Sequence, residues 1–187
     1  MLMMLALAAA TGPSEADQRL SRMTALYNEI CLKAFPDDKA VEARMVARNA
    51  RELTPDIVKI TMRDDPARGW DLADGGATLW IEYPPFHACS IRWNTPHIGD
   101  LQGYQVISKI YESLVGGFSP IRPMDADQDQ IHIHAVGEQR MLPDKSSESL
   151  FVIDQQITDV KRREAGETGV VLRFVHQFSP PQPENGK

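Results

Sequence analysis

Two histidines one residue apart, His132 and His134, come nearest in type and spacing to a reactive site in this chain. In a strand, positions i and i+2 share a face about 7 Å apart, so the two imidazoles would stand side by side. Zinc sites on antiparallel sheets take two ligands from such a His-x-His strand and a third His from a neighbouring strand, leaving one position open for an activated water. His176, in the last apolar run, is the candidate third ligand. The set His132, His134 and His176 therefore defines one reading, a zinc-dependent hydrolase or lyase. Parity argues against it: Leu172, Phe174 and Phe178 share the face of His176, whereas His132 and His134 lie opposite Ile131 and Ile133. If both apolar sets face one core, the three imidazoles do not converge, and solvent-facing His on a half-exposed strand is the plainer expectation.

Other patterns are weaker. Asp125, Asp127 and Asp129 alternate like the start of a calcium loop, but Gln130 and Val136 stand where an EF-hand needs Gly and Glu; a polar turn entering the strand is expected instead. His87 and His97 flank the Trp93 run near its turns and read as hydrogen-bonded surface. The chain contains no G-x-S-x-G, H-E-x-x-H, G-x-x-x-x-G-K-[ST], G-x-G-x-x-G or C-x-x-C. Trp80 falls opposite Leu79 and Ile81, and with Phe86 it forms a candidate contact surface unless other elements cover that face.

The elements that would position these residues follow from periodicity. Leu20, Met23, Tyr27 and Ile30 predict a helix from about Glu15 to Ala34, stopped by Pro36. Asp37 and Asp38 cap an Ala-rich helical segment from Lys39 to Leu53, and Thr54 before Pro55 opens a short turn to Met62. Residues 63–69 read as a loop. Leu79, Ile81 and Tyr83 alternate in one strand of a hairpin, and Cys89, Ile91 and Trp93 in the other. Asp100 opens a helix carrying Leu101, Tyr104, Ile107, Ile110, Tyr111 and Leu114, ended by Gly116 and Gly117. Strands follow over 130–136, 149–158 and 169–178, the last two pairing around a charged, solvated turn.

With 187 residues and 42% apolar content, one domain over 15–178 is expected. A net charge of −6 disfavours a protein built to grip nucleic acid or anionic lipid. Residues 1–14 begin with ten Met, Leu and Ala residues before Thr11, Gly12 and Pro13, which reads as a signal peptide or apolar leader lacking a basic start. The run is about half the length a membrane span needs, so no permanent membrane anchor is expected. Residues 179–187, rich in Pro, read as a disordered tail.

An even cysteine count in an exported chain favours a structural disulfide. Cys31 lies on the inner side of the first helix and Cys89 on the apolar face of its strand, so a bridge would tie helix to sheet; the alternative is two separate buried thiols. Cys31, the Gly69-Trp70 pair and Cys89-Ser90-Ile91 together resemble uncharacterised small exported proteins of Gram-negative bacteria. The resemblance covers about the first half of the chain beyond the leader, and it implies an address without an activity. The fold expected is a two-layer α+β domain, about three helices on an antiparallel sheet of about five strands. The expected function is a periplasmic or secreted, non-enzymatic binding or accessory domain that needs no cofactor and takes an unknown protein or a small ligand.

Overall fold

The computed structural model describes residues 15–63, 65–72, 76–84, 86–94, 102–128, 130–164 and 168–178. The leader, the Pro-rich tail, His97, Asp100 and Leu101 lie outside them. In chain order the elements are α1 (Glu15–Tyr27), a π-helical turn (Asn28–Leu32), α2 (Asp38–Ala47), β1 (Arg51–Glu52), α3 (Pro55–Met62), β2 (Ala67–Leu72), β3 (Ala77–Glu82) and β4 (Phe86–Asn94). After these come α4 (Gln102–Val115), β5 (Ser119–Pro120), β6 (Met124–Gln128), β7 (Ile131–Met141), β8 (Ser147–Ile157), α5 (Val160–Glu164) and β9 (Gly169–Gln177). The chain is α+β, as expected, but the antiparallel sheet among the described residues has nine strands rather than about five. Their order is β1-β2-β3-β4-β9-β8-β7-β5, with β6 also paired to β7.

The first helix departs from its expected form at Asn28. There the winding loosens to a π turn, with Phe35 N–H bonded to Ile30 C=O, five residues back. Ile30, Cys31 and Leu32 are all buried as a result. Asp37 caps α2 by accepting from Ala40 N–H at 3.1 Å. That helix ends well before Leu53, because Asn49 takes a left-handed conformation (φ 52°) and Arg51 and Glu52 join the sheet. Part of the expected 63–69 loop is strand β2, where a Cβ on Gly69 would come within 2.7 Å of the Trp80 ring; only glycine lets β2 pass beneath that indole.

Cross-strand register builds the core in rows. Leu79, Ile91, Leu172 and Val152 face one another across β3, β4, β9 and β8, and Ile81, Cys89, Phe174 and Leu150 form the next row. α1, the π turn and α2 cover these rows with Leu20, Met23, Tyr27, Val41 and Met45. Cys31 and Cys89 are bonded, with Cα atoms 5.5 Å apart, fastening the π turn to β4 across the core. The amphipathic stripe expected on α4 is only partly used: Tyr104 is buried and Ile107 and Tyr111 pack against the core, while Ile110 and Leu114 are exposed. Their side of α4 points away from the sheet. The hairpin of β8 and β9 forms as expected; the described part of its charged tip includes the helical turn α5.

Candidate functional site

Rows farther along the same sheet face turn polar. Beyond the Leu172 row, Trp93 and Val170 are followed on β8, β7 and β6 by Asp154, His134 and Asp125, and the next row places Gln156, His132 and Asp127 in line. His132 and His134 thus lie on the helix-facing side of the sheet, the side of Leu172 and Phe174. Ile131 and Ile133 point to the other side. The assumption that both apolar sets share one core therefore fails, because the sheet buries residues on both faces.

His176 shares the face of the histidine pair and still does not meet it. It is opposite Glu148, whereas His134 is opposite Asp154. Six residues of strand, about 20 Å, separate the two positions. His176 instead packs at a tilt near His87 and Phe178, with ring centroids 6.2 and 4.8 Å away. His87 places Nε2 2.8 Å from Asp38 Oδ1 and packs on Phe35. Ser146 Oγ lies 3.5 Å from His176 Nε2, but the hydroxyl donates to Asp144 Oδ1 at 2.5 Å. A serine nucleophile needs its proton directed at the base and a third group orienting that base; here the proton goes to a carboxylate, and His176 Nδ1 is buried with no partner among the described residues.

At the β6–β7 edge the histidines meet carboxylates. Asp125 Oδ1 is 2.7 Å from His134 Nδ1 and 3.8 Å from His132 Nε2, and Asp127 Oδ1 is 2.9 Å from His132 Nδ1. The hydrogen bond that His132 makes to Asp127, with the charges of Asp127, Asp125 and Asp154, raises the His132 pKa against the opposing effect of desolvation. Both rings are open to solvent, at 39% and 44% exposure.

Between this edge and the core lies a cleft of about 400 Å³. Tyr104 and Ser108 of α4 form one wall, Val136 and Gly137 of β7 the other, and Leu150 and Val152 the apolar floor. At its mouth Lys109 Nζ bridges Glu112 (2.7 Å) and Glu138 (2.6 Å). Burial, reinforced by a hydrogen bond to Glu138, raises the Glu112 carboxyl above its ordinary range. Burial of Glu138 is outweighed by hydrogen bonds from Glu112 and Lys109, and its carboxyl is lowered. The lysine is 63% exposed and Glu112 only 11%, so the cation is the loosely held member of the trio.

Trp80 is unavailable as a contact residue. It is 5% exposed, lies over Gly69 and donates its indole N–H to Thr78 Oγ1. Phe86 is 52% exposed at the start of β4. The cleft escaped sequence reading because its residues come from α4, β7 and β8; the one local signal was the His-x-His strand that borders it.

No protein-family model, curated protein or solved structure matches this chain. Among the described residues no helix is long and apolar enough to cross a membrane.

Proposed function

We propose that this chain is an exported, disulfide-bonded, non-enzymatic binding domain, and that its cleft takes a small ligand with an apolar body and a basic group. The observation that carries the reading is the cleft's construction, an apolar floor of Leu150 and Val152 beneath two carboxylates bridged by an exposed lysine. Pockets of this volume, mostly apolar with a few convergent polar groups, are the usual form of small-molecule sites. A ligand ammonium would displace Lys109 and bind the same two carboxylates, while its hydrocarbon part leaves water. Export is supported by the Cys31–Cys89 bond, since such bonds persist in oxidising compartments.

Hexylamine and hexanoate, matched in length and opposite in charge, test the site by calorimetry. Hexylamine is expected to bind and hexanoate to fail, Lys109→Ala to tighten hexylamine by removing its internal competitor, and Val136→Trp to block it. Binding of hexanoate in preference, or of neither probe, would overturn the reading. Export is tested separately by intact mass of protein recovered from the periplasm of a Gram-negative host. Loss of the apolar leader with an oxidised cysteine pair is expected; retained Met1 with two free thiols would contradict it.

A further inference from the structure

We infer that the β6–β7 edge is a binding site for a divalent transition-metal ion of the zinc and copper class, held by His132 Nε2, His134 Nδ1 and Asp125. The donors come from three positions that register alone brings together: His132 and His134 share one face of β7, and Asp125 faces them from β6. Zinc binds nitrogen and carboxylate oxygen at about 2.0–2.2 Å, so two ligands on a tetrahedral ion stand about 3.3–3.6 Å apart. The separations of Asp125 Oδ1 from the two ring nitrogens, 2.7 and 3.8 Å, bracket that range. As the side chains stand, no group of three or more His, Cys, Asp or Glu among the described residues is arranged to hold a metal ion. Here Asp125 is hydrogen-bonded to His134, and an ion would take the place of that proton, with the carboxylate moving away from His134 and toward His132.

Asp127 supplies the second argument. It contacts the other nitrogen of the His132 ring, Nδ1, at 2.9 Å, while Nε2 faces Asp125. A carboxylate on the far nitrogen of a ligating imidazole fixes the tautomer and raises the basicity of the metal-bound nitrogen. In this arrangement Asp127 is a positioning residue for His132. Imidazole nitrogens select ions of the zinc and copper class over calcium and magnesium, consistent with the failed calcium pattern at Asp125, Asp127 and Asp129. The solvent exposure of the set leaves the remaining coordination positions to water. The donor set differs from the one sequence parity suggested: His176 has no part in it.

The test is calorimetric titration of the tag-free, oxidised full chain with Zn²⁺ alone at neutral pH. One equivalent with micromolar affinity is expected. His132→Ala and His134→Ala should each abolish it, Asp127→Asn should weaken it by roughly 10- to 100-fold, and His176→Ala should leave it unchanged. Zinc should also slow amide exchange in 124–128, since the ion ties β6 to β7, an effect that loss of a simple surface charge would not produce. No stoichiometric zinc binding by the unsubstituted chain, zinc binding that survives His134→Ala, or loss of zinc in His176→Ala would each overturn the proposal. The cleft ligand is not involved, so failure here leaves the amine test standing.

Discussion

One face of one sheet carries two regions built from the same alternation and put to opposite use. Around β3, β4 and β9 the face is dry: Leu79, Ile91 and Leu172 are fully buried under α1 and the π turn, and a disulfide fastens the layers. Around β6 and β7 the same face is wet, and the equivalent positions are Asp125, Asp127, His132 and His134. The cleft lies at the boundary. The sheet is wider than its helical cover, and the uncovered strip is where polar, chemically capable side chains are tolerated without desolvation. Stability should therefore reside in the first region and ligand chemistry in the second.

The comparison can be broken most forcefully at the disulfide. The bridge closes a loop spanning 58 residues, and replacing Cys31 and Cys89 by Ala should cost about 4 kcal/mol through the unfolded chain, read as a lower denaturant midpoint. Leu172→Ala, in the middle of the dry rows, should cost about 3 kcal/mol by the same assay. Alkaline titration sharpens the contrast next. Burial raises the phenols of Tyr27, Tyr104 and Tyr111 in the folded chain, the last to about 12. Their folded pKa values exceed the unfolded value near 10, so their contribution to stability is complete below pH 10 and is lost as pH rises toward 12. Absorbance at 295 nm should show them ionising together with unfolding. The smallest effect belongs to the wet region: His134→Ala should change stability by less than about 0.5 kcal/mol. A His134 effect as large as that of Leu172 would erase the distinction.

How much of this could be read from the chain differs along the same lines. In the dry region the cysteine pair, α1 and the alternation of Leu79, Ile81, Cys89 and Ile91 were legible, because each buries a continuous apolar face with its own period. Four strands were not. β6, Met-Asp-Ala-Asp-Gln, is exposed along its whole length and has only Met124 and Ala126 as apolar residues, so its alternating Asp residues read as a polar turn. β2 contains Gly69, whose role depends on a tryptophan eleven residues away. β1 and β5 have two residues each and pair only because a neighbour offers an edge. For the histidines, alternation shows which residues share a face within each strand, but how far apart the register sets His134 and His176 along the sheet cannot be read from local alternation. The cleft depends on where α4 stops covering the sheet, which is a tertiary fact.

The most direct test of the division is an amide NMR titration of the oxidised full chain with hexylamine. The account predicts shifts concentrated in 104–112 and 136–138 and in the facing residues 150–152, with β3 and β4 unmoved. Shifts centred on β3 and β4, or none at saturating probe, would contradict it.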